Sequence, residues 1–241
     1  MSDNSSATPE SSPELSPAPA SSAQNSAAMI RTLTLIATIS GLLVVMAVEL
    51  TRPLIAENQR IAVEQAIFQV LPAAVSWREY RLSEEKLVLA EETTTGISIY
   101  AGFDGKGELS GIASEAAAQG YADTIRLLYG YNPECECITG IKILKSAETP
   151  GLGDKIFKDL NFIANFKALV AKLNGQQDGL ENAIVTVKHG KKTDPWQIDA
   201  ISGATVSSRA IGKALNDSTQ YLLPRLVNQL SNIQSVEGDA Q

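Results

Sequence analysis

Thr32 to Val48 reads TLTLIATISGLLVVMAV, 17 residues without a charged side chain, closed by Arg31 on one side and by Glu49 and Arg52 on the other. That length is at the lower end of what spans a hydrocarbon core of about 30 Å. The run is apolar all round, so as a helix it requires lipid or protein on every side. Residues 1 to 28 contain 19 Ser, Pro or Ala, with Asp3, Glu10 and Glu14 as the only charges. Such a composition cannot build a core to receive the run. A cleaved signal is the poorer reading, because no Lys precedes the run and Val48-Glu49-Leu50 lacks a small-residue cleavage pattern. The expectation is one uncleaved membrane helix over residues 30–50, preceded by a disordered tail over 1–29. Its orientation stays open, since Arg31 is matched by Arg52 and Arg60 on the other side.

The 241 residues and 44% hydrophobic content leave room for one ordinary domain beyond that helix. A formal net charge of -7 excludes a nucleic-acid surface, which needs clustered Lys and Arg. Partners are therefore protein, membrane or a small molecule. Pro53 suits the first turn of an amphipathic connecting helix over 51–72, with apolar residues at Leu54, Ile55, Ile61, Ile67, Phe68 and Leu71 and a stop at Pro72. Asp104-Gly105-Lys106-Gly107 between Gly96–Tyr100 and Glu108–Ile112 predicts a hairpin. Further strands are predicted at Thr124–Leu128, Ile138–Leu144 and Ala183–Val187. Helices are predicted at Lys155–Leu173 and from Thr205 towards Val227. Early hairpins followed by helices define an α+β domain over 73–230 with an antiparallel or mixed sheet, and 231–241 read as a flexible tail. Cys135 and Cys137 are separated by one residue, across which a disulfide is expected to be strained. His189 is the only histidine and no second Cys pair exists, so no metal site is expected and the cysteines read as ordinary thiols.

Two loops carry candidate chemistry. Glu148-Thr149-Pro150-Gly151-Leu152-Gly153 is rigid at Pro150 and bare at its glycines, which permits positive φ or close approach to a planar ligand. A plain strand-to-helix turn needs the same residues. Asp199-Ala200-Ile201-Ser202-Gly203-Ala204-Thr205-Val206-Ser207-Ser208 precedes the periodic Ala210, Ile211, Ala214 and Leu215. Hydroxyls at a helix start cap free N–H groups, yet the same helix start attracts a phosphate. Arg209 offers a charge one turn along, and no His or Lys in the sequence beside Thr205 activates its hydroxyl.

The run D-A-I-S-G-A-T-V-S-S resembles the D-x-x-(S/T)-G-A-T flavinylation motif of FMN-binding domains, and E-T-P-G-L-G is similar to the segment that lies against the flavin in that family. With the single N-terminal membrane helix, residues 30–230 resemble RnfG, a component of the Rnf electron-transport complex. NqrC, from the sodium-pumping NADH:quinone reductase, is a close relative with the same motifs. The resemblance implies an α+β FMN-binding domain with flanking helices and FMN phosphoester-linked to Thr205 by a flavin transferase. It implies that Glu148, Thr149, Gly151, Leu152, Ser202, Gly203 and Ala204 form the cofactor site, and that Asp199, Ser202, Gly203 and Ala204 serve transferase recognition. It further implies a redox subunit of an ion-translocating complex, with the other Rnf subunits, RnfA, RnfB, RnfC, RnfD and RnfE, as partners and its soluble domain on the periplasmic side of the bacterial inner membrane. An NqrC-like component of the quinone reductase and a stand-alone anchored redox sensor are the alternatives. Trp196 and Tyr131 are candidate flavin-stacking residues or core packing, and Lys155 a candidate neighbour of the reduced ring or a solvated lysine.

Overall fold

Helix α1 runs unbroken from Ala23 to Val70, with Pro53 inside it. The expectation that Pro53 opens a separate helix is thus corrected. Proline lacks the N–H that would bond back four residues to Glu49, and the Thr51 hydroxyl two residues earlier bonds to the Ala47 carbonyl at 2.9 Å. The threonines of the apolar run do likewise: Thr32 bonds to Ala28 (3.0 Å), Thr34 to Ile30 (2.8 Å) and Thr38 to Thr34 (2.8 Å). These threonine hydroxyls are satisfied within the helix, as a hydrocarbon surround requires. The computed structural model describes residues 23–83, 86–90 and 95–233. Residues 1–22 and 234–241, where parts of the two tails are expected, lie outside the described residues. The chain divides into two compact units, Met1–Ile55 and Ala56–Gln241.

In the second unit, strands β1 (Ser76–Ser83), β2 (Lys86–Leu89), β3 (Ile97–Phe103), β4 (Leu109–Gln119), β5 (Thr124–Asn132), β6 (Cys137–Lys145) and β7 (Leu169–Val170) form one sheet in the order β2-β1-β3-β4-β5-β6-β7. Every pairing in it is antiparallel. Strands β8 (Val185–Val187) and β9 (Gln197–Asp199) make a separate parallel pair. The sheet is buried on both faces because alternate residues of its strands are apolar in both phases. Ile99, Ile112, Leu127 and Tyr129 face a core shared with helix α3 (Thr205–Leu226), whose Ala210, Ile211, Ala214 and Leu215 are buried as their spacing predicts. Tyr100, Ala113 and Leu128 face the other way, against Ala66, Ile67, Val70 and Leu71 of the α1 end and the turn after it. Of the six apolar residues expected on the connecting helix face, only Ile67 and Leu71 are in that core; Leu54, Ile55, Ile61 and Phe68 are exposed.

The α1 end approaches the sheet over a seam of glycines, where Gly102 pairs with Gly111 and Gly130 with Gly140. A Cβ at Gly130 would collide with the Val70 carbonyl and lie 2.7 Å from Thr139 Oγ1 and 2.9 Å from Leu71 Cδ2. The Thr139 hydroxyl donates to that carbonyl at 2.5 Å and so completes the end of α1. Gly130→Ala is expected to cost about 1–3 kcal/mol by overpacking, read as a Tm lowered by several degrees; an unchanged Tm would show that the seam does not fix the helix end.

Two further expectations are corrected. The predicted helix over Lys155–Leu173 is broken into a 3-10 turn (Gly153–Phe157), the short helix α2 (Leu160–Ala164) and β7. Asp159 takes an extended backbone and its carboxylate caps Asn161 and Phe162 N–H groups, which restarts the helix. The chain then returns to pair Leu169 with Ile138, burying Phe162, Phe166 and Leu169 and leaving Leu160 in solvent. Cys135 and Cys137 are joined in a disulfide rather than standing as thiols. Glu136 between them adopts φ +50, which brings the two Cα atoms to 5.2 Å, inside the ordinary range for a bridge.

Candidate functional site

The two loops meet at one carboxylate. Glu148 is 7% exposed; its Oε1 accepts the Ala122 N–H at 3.0 Å and its Oε2 accepts the Ser207 hydroxyl. It therefore ties together the turn 120–123 between β4 and β5, the loop 148–153 and the start of α3. Gly153 is bare for this reason, since a Cβ there would run into Glu148 Oε2 and lie 2.9 Å from Ser207 Oγ. Gly151 adopts φ +79 and donates its N–H to Asp154 Oδ1 at 2.8 Å, holding the loop closed.

Asp154 is also 2.5 Å from the Lys158 ammonium. The Lys158 hydrogen bond holds its carboxyl below the usual range, opposed by burial and assisted by the Gly151 N–H. A depressed folded value means stabilisation that is complete above the unfolded value, about 3.9, and lost as pH falls through the folded one. Amide exchange in the loop 148–153 should be unaffected by this group from neutrality to about pH 4 and then rise on further acidification. In Asp154→Asn that acid-induced increment should disappear; its persistence would place the sensitive group elsewhere.

Three hydroxyls stand at the start of α3, and the structure separates their roles. Ser207 is committed to Glu148. Ser208 accepts the Ile201 N–H at 3.1 Å and donates to the Ala204 carbonyl at 2.9 Å, so it is the residue that fastens the preceding turn. Thr205 is the first helical residue, and the N-cap position is Ala204, with no side-chain cap. The capping explanation for Thr205 therefore falls away. Its half-buried side chain lines a cleft of about 320 Å³ with Glu148, Thr149, Leu152, Gly153, Gly203, Ala204, Val206, Ser207 and Tyr121. That volume is at the lower end of ligand sites, which run from roughly 300 to 1,000 Å³. The first N–H groups of a helix lack partners within it, so the cleft floor presents donors and a positive dipole end beside the Thr205 hydroxyl.

Thus Glu148, Thr149, Leu152, Gly203, Ala204 and Thr205 converge, and Gly151 supports them through the loop. Asp199 and Ser202 do not join the cleft. They line a second, smaller cavity with Lys155, Asn165 and His189. There Asp199 accepts the Gly190 N–H at 2.7 Å and lies 3.3 Å from His189 Nδ1. Tyr131 is 2% exposed in the core, and Trp196 sits in the turn before β9. Neither they, Lys155 nor the exposed Arg209 line the cleft. The aromatic residue that does is Tyr121, 74% exposed. An aromatic directly after Gly120 in a short inter-strand turn was the available signal for it, and only the fold brings that turn to Glu148.

Residues 120–220, which contain the whole cleft, match the FMN-binding domain family. Two solved structures share the fold. Shewanella oneidensis NqrC superposes with a TM-score of 0.52 at 20% identity, covering 68% of this chain and 88% of that one. The corresponding C component of the Na(+)-translocating NADH-quinone reductase of Parabacteroides distasonis gives 0.55 at 18%, covering 70% and 94%. Fold and cleft together define an α+β FMN-binding domain carried on a long apolar helix that fits a membrane anchor. RnfG of Methanosarcina acetivorans, a component of its ion-translocating oxidoreductase complex, is 30% identical over 168 residues, 69% of this chain and 76% of its own length. RnfG of Haemophilus influenzae is 30% identical over 177 residues, 73% and 76%. The chain belongs to the RnfG family of ion-translocating oxidoreductase complexes.

Proposed function

We propose that this chain is the electron-transfer subunit of a membrane-bound, ion-translocating complex of the Rnf type, carrying FMN as a phosphoester of Thr205. The observation that carries the reading is the cleft itself, in which the only uncommitted hydroxyl among Thr205, Ser207 and Ser208 stands at the start of α3. FMN, when bound, supplies one- and two-electron chemistry. The chain's own residues retain and orient it. Thr205 and the N–H groups beside it hold the phosphate end, while Gly203 keeps the approach bare. Glu148 fixes the two walls, and Thr149, Leu152 and Tyr121 offer polar, apolar and aromatic contact to the ring. Asp199, Ser202, Gly203 and Ala204 serve recognition by a flavin transferase, a role that the position of Asp199 and Ser202 outside the cleft supports.

Relatives named as components of an ion-translocating oxidoreductase complex support assembly with other subunits of such a complex, which for the Rnf type would be RnfA, RnfB, RnfC, RnfD and RnfE. The Cys135–Cys137 bridge supports a domain on the oxidising, periplasmic side of the bacterial inner membrane, since disulfides persist in such compartments and are rare in the cytosol. Affinity purification from detergent-solubilised membranes tests the assembly. Recovery of a multi-subunit, flavin-fluorescent complex is expected; a chain that purifies alone and fluorescent would favour a free-standing anchored flavoprotein instead.

A further inference from the structure

We infer that Cys135 and Cys137 form a reversible thiol–disulfide exchange site, entered at Cys135 by a dithiol partner. The site does not rest on the flavin reading, and none of its residues lines the flavin cleft. The bridge closes over a single residue in the turn between β5 and β6. In the chain-entropy account, a loop this short constrains the unfolded chain less than any longer one, so stabilising the fold is a poor explanation for it.

The fold places the two sulfurs together without needing the bond. Cys137 pairs with Asn132 across the hairpin and with Val170 on the other side. The Glu136 carbonyl accepts the Ala171 N–H at 2.9 Å, which holds the positive φ of Glu136 in place. Reduction would therefore leave both thiols in register for reoxidation. They also differ in access, because Cys135 is exposed whereas Cys137 is 7% exposed. The neighbours of Cys135 on its N-terminal side leave it open as well, since Glu134 is exposed and Pro133 half-buried.

The chemistry follows from that asymmetry. A partner thiolate attacks Cys135 Sγ; the Cys135–Cys137 bond breaks, and Cys137 leaves as the thiolate and takes a proton. The partner's second thiolate then attacks its own sulfur in the mixed disulfide and releases Cys135, which is protonated in turn. Two electrons and two protons have passed to this chain, and the partner dithiol has become a disulfide. The reverse sequence re-forms the bridge.

The full chain in detergent, equilibrated with graded ratios of reduced and oxidised dithiothreitol, blocked with a maleimide and weighed intact, tests this directly. Both thiols should appear together with the circular dichroism spectrum unchanged, and oxidised dithiothreitol should restore the bridge. In the single variants, Cys135 of Cys137→Ser should react with a small disulfide reagent at least about tenfold faster than Cys137 of Cys135→Ser. A bond reducible only in denaturant, one that fails to re-form, or equal rates for the two thiols would overturn the inference.

Discussion

Thr205→Ala is expected to abolish covalent flavin completely, read as loss of in-gel fluorescence and of the added mass, while the melting temperature stays within about a degree or two of the parent. The second half of that expectation comes from the structure. Thr205 neither occupies the N-cap nor makes a side-chain hydrogen bond among the described residues, and a surface-accessible hydroxyl without a partner can be removed at a cost of roughly 0.5 kcal/mol or less. Ser207→Ala is the informative contrast, since it removes a hydroxyl two residues away that is bonded to Glu148. That variant should lower stability and keep Thr205 as an acceptor for the flavin. Covalent flavin retained in Thr205→Ala would move the attachment point.

The second large effect is expected at Glu148. Replacing it with Ala strips the Ala122 N–H and the Ser207 hydroxyl of their shared acceptor. The Ser207 hydroxyl is 2% exposed and left unmatched at about 1–3 kcal/mol, whereas the Ala122 N–H is part-buried and open to water, so Glu148→Ala should lose about 1–3 kcal/mol and loosen the loop 148–153, the turn 120–123 and the start of α3 together. Glu148→Gln keeps the size and one acceptor oxygen and should lose less than half as much. Thermal melts, with hydrogen exchange on those three segments, would check both variants. An Ala variant as stable as the parent would mean that the carboxylate does not join the walls.

The sequence shows the long apolar helix, the β3–β4 hairpin and helix α3 because each rests on local signals: an uncharged run, a D-G-x-G turn, and a 3.6-residue repeat behind a glycine. It misleads where tertiary contacts decide. Ile156, Leu160, Ile163, Leu169 and Leu173 have near-helical spacing, yet Asp159 restarts the chain and the open edge of β6 draws Leu169 into a strand. Pro53 looks like a helix start and lies inside α1. The bridge between Cys135 and Cys137 depends on the left-handed backbone of Glu136, for which glycine or asparagine would have been the usual sign. The site is legible as two motifs about 50 residues apart, and what the sequence withholds is their junction. Nothing local to Glu148 announces that its carboxylate reaches Ser207, or that Tyr121 arrives on the rim by way of Ala122.

The proposed function stands on the Thr205 phosphoester, and the most direct test is peptide mass analysis of the full chain after co-expression with an active flavin transferase. One modified peptide is predicted, containing Thr205 and heavier by FMN less one water, with fragment ions that place the addition on Thr205. An unmodified Thr205 peptide beside a transferase shown to be active on another substrate would contradict it.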